Sequence, residues 1–176
     1  SKTALATAHQ LRRLGGLEII GLTSPGNEGY VRDTGLYDRV VLYADAATLI
    51  AQAPATFVDF LGRRELTAAV HTALGGALTR SIVIGITDWQ SAAATPSAPL
   101  PGPKPEFFFV PAYAGERLKA EPQLGAAMQK DLRAFYPASR AFVTAQRAIG
   151  ADAIQSAWLR LAAGDVAPNQ GLVLSF

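Results

Sequence analysis

Leu17-Glu18-Ile19-Ile20-Gly21-Leu22-Thr23 runs directly into Ser24-Pro25-Gly26-Asn27, and the fold turns on how this stretch is read. Its first part is short and mostly apolar, with Gly15-Gly16 before it and turn-forming residues after it, the pattern of a strand buried on both faces. Upstream, Ala4, Ala8, Leu11 and Gly15 recur at helical spacing, and Leu5 and Leu14 widen the stripe. Ser1–Leu14 is therefore predicted to be an amphipathic helix ended by the glycine pair. Downstream the alternation repeats: a helical stretch over Asn27–Thr34 stopped by Gly35, a strand at Arg39–Tyr43, and a helical turn or two at Ala47–Ala53. A strand at Thr56–Leu61, an amphipathic helix over Arg63–Leu74 and a strand at Ser81–Ile86 follow. Strands that alternate with helices of this length indicate an α/β fold, a doubly wound parallel sheet rather than a sandwich or bundle.

The second half is less regular. Gln90–Pro105 is rich in Ala, Pro and Ser and reads as a loop or linker, because its prolines block both helix and ladder bonding. Beyond it a strand is predicted at Glu106–Val110, then helices over Gly125–Phe135, Ala138–Ile149 and Ala151–Ala163. A turn at Pro168-Asn169-Gln170-Gly171 and a terminal strand at Leu172–Phe176 close the chain.

Composition removes several function classes. With 49% hydrophobic and 17% charged residues over 176 positions, the chain is neither disordered nor collagen-like and suits about one domain. Its cations are scattered, as in Arg12-Arg13 and Arg63-Arg64, which argues against a nucleic-acid partner. The absence of cysteine excludes disulfides and thiolate zinc sites within the chain. Apolar runs such as Ser81–Ile86 fall far short of the roughly 20 residues of a membrane helix, and the opening residues lack the build of a signal peptide. A soluble, cytoplasmic protein with no membrane partner is expected. His9 and His71 have no ligand-type partner at i+3 or i+4, so both are expected on the surface and no metal is expected. No Gly-x-Ser-x-Gly elbow is present.

In a doubly wound sheet the ligand lies outside the carboxyl ends of the strands, where strand order reverses around a central first strand. The sequence instead opens on a helix whose Ser1, Lys2 and Thr3 suit a helix N-terminus that meets a pyrophosphate. A sheet split at its centre would bury unpaired backbone groups at about 1–3 kcal/mol each, so the natural polypeptide is expected to extend upstream and supply that strand. Thr23 and Ser24 stand where an NAD-specific fold places an acid for the ribose 2′-hydroxyl. With Asn27 they offer groups that accept a phosphate instead, which favours NADP; the alternative is that all three merely form the turn around Pro25-Gly26. Asp59 and Gly62 at one strand exit, and Gly85, Ile86 and Thr87 at the next, sit where this fold brings backbone to the nicotinamide half. Asp59 serves equally well as a cap for the following helix. Lys2 either meets a phosphate or is solvated, and Phe107-Phe108-Phe109 is either core strand or pocket wall.

Several segments, taken in order, resemble one family. These are Ser1–Ala6, Leu22–Asn27, Tyr37–Tyr43, Phe57–Gly62, Phe107–Pro111 and Gly171–Phe176. Together they look like the medium-chain dehydrogenase/reductase superfamily, zinc-free and quinone-oxidoreductase-like. Within it the likeness is to a bacterial and fungal family that carries only a domain-of-unknown-function label, whose dinucleotide loop has serines in place of the usual glycines. The resemblance implies a Rossmann domain over residues 1–111 that lacks its first strand. It also implies a helical segment and final strand over residues 112–176 that complete this domain and pack on a substrate domain preceding it. It further implies NADP(H) as cofactor, and hydride transfer to a small carbonyl, enal or quinone by residues upstream, so that the chain alone is inactive. A homodimer that pairs sheet edges is also implied. Tyr43 resembles the tyrosine that quinone reductases bring to the adenosine 2′-phosphate, the alternative being a half-buried strand tyrosine. Two other functions stay open: a non-catalytic NADP(H)-binding sensor or scaffold, and a module for another phosphorylated ligand such as a coenzyme A ester.

Overall fold

The computed structural model describes residues 1–85 and 99–176. Helix α1 (Lys2–Leu14) forms as its periodicity predicts, turning Leu5 and Ala8 inward. Gly15, at φ 72°, ends it in the left-handed region that favours glycine. Strand β1 (Ile20–Thr23) starts three residues later than the apolar run, because the Ile19 N–H donates to the Asp38 carboxylate at 2.8 Å and not to a neighbouring strand. A short 3₁₀ turn at Pro25–Asn27 and helix α2 (Glu28–Asp33) lead to β2 (Arg39–Leu42), which pairs with β1 in parallel, Ile20 opposite Arg39 and Thr23 opposite Leu42.

The unit repeats as β3 (Ala55–Asp59), α3 (Arg64–Leu74) and β4 (Leu78–Val83), with the two-residue β5 (Glu106–Phe107) added beside β4. Helices α4 (Val110–Ala120) and α5 (Leu124–Ser139) follow. The chain then closes on a third unit, β6 (Thr144–Ile149), α6 (Ala151–Ala162) and β7 (Gln170–Ser175). All pairings among the described residues are parallel, so the α/β class stands. They form three small sheets, ordered β1-β2, β3-β4-β5 and β6-β7.

The first two sheets share one core. Ala46, Leu49, Phe57, Leu66, Val70 and Leu78 are buried together, and Ile20, Leu22, Val41 and Tyr43 from the β1-β2 side pack against them. A second cluster joins Leu5 and Ala8 of α1 to Ile19 and Leu36, with Phe142 and Val143 against it. Beyond residue 105 only Ala157 joins the buried apolar core, while Trp158 and Phe176 are 66% and 96% exposed. A two-stranded sheet such as β6-β7 is marginal on its own in water, so this part of the chain draws its stability from few contacts.

Four predicted elements are displaced. Residues 138–149 are not a helix: α5 ends at Ser139 and Thr144–Ile149 is β6, held by six-residue register with β7 that outweighs the local helix propensity of its alanines. The strand predicted over Glu106–Val110 stops at Phe107; Phe109 caps α4 and Pro111 sits in its first turn, where a missing N–H costs nothing. The turn predicted at Ala47–Ala53 lies earlier, as a 3₁₀ segment at Tyr43–Thr48. The strand predicted at Ser81–Ile86 begins at Leu78 and ends at Val83, because β3 sets its register.

Candidate functional site

The carboxyl ends of β1, β2, β3 and β4 carry most of the predicted site residues. Thr23 ends β1 and is buried. Ser24 is extended and half-buried; its carbonyl accepts the Asn27 N–H at 3.0 Å, but neither the Ser24 nor the Asn27 side chain caps the turn or helix that it precedes. Both polar side chains thus lie at the β1 exit without the capping bond that a purely turn-forming role would use.

Tyr43 directly follows β2 and is half-buried against the core. Burial raises its hydroxyl above the ordinary tyrosine value, the Arg63 guanidinium lowers it and the Asp59 carboxylate raises it. Tyr43, at the end of β2, thus lies within electrostatic reach of Asp59 and Arg63, which follow β3. At the β3 exit Asp59 is buried, and both of its oxygens are engaged. The Leu61 and Gly62 N–H groups donate to Oδ1 at 2.8 and 2.9 Å, and the Thr67 hydroxyl donates to Oδ2 at 3.1 Å. Asp59 therefore closes the loop into α3, close to the capping role, with Gly62 at φ 76° completing the turn. The β4 exit rests on the same loop. Ile84 N–H donates to the Asp59 carbonyl at 2.8 Å, and a Cβ on Gly85 would lie 3.4 Å from the Phe60 carbonyl oxygen. Ile86 and Thr87 lie outside the described residues. Ser1, Lys2 and Thr3 are exposed around the start of α1, and Ser1 makes no side-chain cap. Phe107 and Phe109 are exposed, so neither is core.

The two histidines are not surface residues. His71 is fully buried on α3: Nδ1 donates to the Pro101 carbonyl at 2.8 Å, and Nε2 lies 2.9 Å from the Ser81 hydroxyl of β4. Its ring also meets Phe57 edge-on. The sequence carries a signal for this burial, since residue 71 falls on the same face of α3 as Thr67, Val70 and Leu74. His9 packs edge-on against Phe135, with ring centroids 5.3 Å apart, because α1 lies against α5. Among the described residues no three His, Asp or Glu side chains converge as metal ligands would, and no helix is long and apolar enough to cross a membrane.

Two clefts among the described residues have linings of their own. One of about 160 Å³ is lined by Tyr30, Arg140 and Asn169 among others; a second of about 350 Å³ lies between Arg64 and the Pro99–Pro105 segment. Neither is lined by Thr23, Ser24, Tyr43 or Asp59. Searches for relatives find no match among curated proteins or among solved structures. Residues 1–167, by contrast, match the family model described as "Protein of unknown function (DUF2855)", and the chain belongs to that family.

Proposed function

We propose that the chain is the cofactor-binding part of an NADP(H)-binding, oxidoreductase-like protein of the zinc-free medium-chain reductase type. The observation that supports this reading is that two parallel sheets share one core and that Tyr43, after β2, lies within electrostatic reach of Asp59 at the end of β3. In this reading the strands form a Rossmann-type sheet ordered β2-β1-gap-β3-β4-β5, and a further parallel strand leading into α1 occupies the gap. Residues 1–111 make up the dinucleotide domain. Residues 112–176 complete it, and their exposed apolar side chains pack on a substrate domain. A homodimer pairing sheet edges belongs to the same reading.

NADP(H) would lie across the exits, its adenosine phosphate held by Ser24, Asn27 and Tyr43, its pyrophosphate by the start of α1 at Ser1, Lys2 and Thr3. Gly62 and Gly85 would give the nicotinamide half close access to backbone, and Asp59 acts on that half through the loop it holds. The cofactor supplies hydride transfer to a small carbonyl, enal or quinone, and the protein orients it and excludes water. The test is the thermal stability of the full-length protein with NADPH and with NADH. Stabilisation by NADPH, with oxidation of NADPH in the presence of quinones, enals or ketones, is the expected result. No stabilisation by either nucleotide would overturn the reading, and NADPH binding without turnover would make the protein a sensor.

A further inference from the structure

The run Pro99–Phe107 leads into β5 and forms it without burying a side chain. Apolar burial, which fixes α3 and β4 through Leu66, Val70 and Leu78, therefore does little to hold it. Its ties to the rest of the fold are of unequal quality. β5 sets only Glu106 and Phe107 opposite Ile82 and Val83, and the Phe108 N–H then donates to the Val83 carbonyl at 2.8 Å. A pairing that short is marginal. The Arg80–Glu106 ion pair has both partners exposed, and such pairs contribute little.

The tie at Pro101 is of another kind. His71 of α3 is fully buried, with Nδ1 2.8 Å from the Pro101 carbonyl oxygen and Nε2 2.9 Å from the hydroxyl of Ser81, itself buried on β4. A carbonyl oxygen can only accept, so Nδ1 carries a proton; in the neutral ring Nε2 then accepts from the Ser81 hydroxyl. Phe57 meets the ring edge-on and limits its rotation. One imidazole thus fastens the segment to both α3 and β4. Gly102, at φ 80°, turns the chain directly after the fastened carbonyl.

We propose that Pro99–Phe107 is a strap that opens from the sheet as a unit, and that His71, through its Nδ1–H, is the clasp that holds it shut. Segments with little buried apolar contact and exposed ladder bonds open locally while the rest of a fold stays closed. Opening breaks the β4-β5 pairing, frees the outer edge of β4 at Ile82 and Val83 for another strand, and brings the His71–Ser81 pair to solvent. His71 is a positioning residue in this device, acting through the Pro101 carbonyl. The inference does not depend on nucleotide binding, and its test contains no nucleotide.

The test is amide hydrogen exchange of the full chain, followed by NMR at urea concentrations below the unfolding transition. Phe108 reports on the strap, and Ile84, whose N–H donates to the Asp59 carbonyl at 2.8 Å, reports on the β3-β4 pairing. In the parent, Phe108 should be at least about tenfold less protected than Ile84, with a shallower dependence on urea, and the ring of His71 should carry its proton on Nδ1. An asparagine amide reaches the place of Nδ1 and a glutamine amide that of Nε2. His71→Gln should therefore lower the protection of Phe108 relative to Ile84 by a further factor of about ten, the effect of a hydrogen bond left unmade, while His71→Asn keeps the parent ratio. Equal protection and equal urea dependence at Phe108 and Ile84 in the parent would overturn the strap, a result that needs no variant to fold. A proton on Nε2 alone, an unchanged ratio in His71→Gln, or the same change in His71→Asn would overturn the clasp.

Discussion

Asp59→Ala should destabilise the protein without touching any surface group. The carboxylate accepts from two backbone N–H groups and one hydroxyl, at 2.8, 2.9 and 3.1 Å, and is buried. Truncation leaves the two N–H groups unpaired, while the Thr67 hydroxyl keeps the Arg63 carbonyl at 3.2 Å. A fully buried unpaired group costs about 1–3 kcal/mol, but the half-buried Leu61 and Gly62 can recover water, so the sum is about 2–4 kcal/mol. For a chain of this size each kcal/mol moves Tm by about 2–4 °C, giving a loss of roughly 5–15 °C. Asp59→Asn keeps a carbonyl oxygen for the two N–H groups and lets the Thr67 hydroxyl accept from the new amide, so its loss should stay near ~1 kcal/mol. Urea denaturation followed by circular dichroism measures both. If Asp59→Ala lies within ~0.5 kcal/mol of the parent, or the two variants lose the same stability, the carboxylate does not hold this loop.

Three further outcomes follow from the packing and the charges. Gly21→Ala would put a Cβ 2.8 Å from Cδ1 of the Tyr37 ring, so it should cost about 1–3 kcal/mol in the same denaturation experiment; a neutral result would show that Tyr37 is free to move. The Tyr37 hydroxyl is pushed up to about 12 by burial and by Tyr30 and Tyr43, from an ordinary 10.0. Its folded value lies above its unfolded one, so its stabilising contribution is complete below pH ~10 and disappears as pH rises through ~12. Tyr37→Phe should flatten that part of the stability profile, and ultraviolet titration of the folded protein should show one tyrosine ionising after the others. Asp38 is held below the ordinary carboxylate range by the Ile19 N–H and Arg12, so Asp38→Asn should remove a stability loss that the parent shows as pH falls into that range.

What could be read in the sequence was the part with dense local signals. The apolar run before Ser24-Pro25-Gly26 and the stripe of Arg64–Leu74 announce themselves, because burial on both faces or on one face dictates their residues. Strand β6 did not: Thr144-Ala145-Gln146-Arg147-Ala148-Ile149 is largely exposed and owes its form to β7, more than 20 residues later. Helix α4 was hidden by the aromatic run before it, whose Phe107 and Phe109 face solvent. At the site, strand exits are legible as positions, and the place of Asp59 just before α3 announces its role in closing that loop. The His71 network was not legible, since its partners lie 10 and 30 residues away and only the fold brings them together.

In the proposed function, the β1 exit reads the phosphate of NADP(H). Calorimetric titration of the full-length protein with NADPH and NADH, repeated on Ser24→Ala/Asn27→Ala, tests it most directly. The prediction is NADPH binding at least about tenfold tighter than NADH, a difference of about 1.4 kcal/mol, which the double variant erases by weakening NADPH alone. Equal affinity for both nucleotides in the parent, or equal losses in the variant, would show that Ser24 and Asn27 do not hold the phosphate.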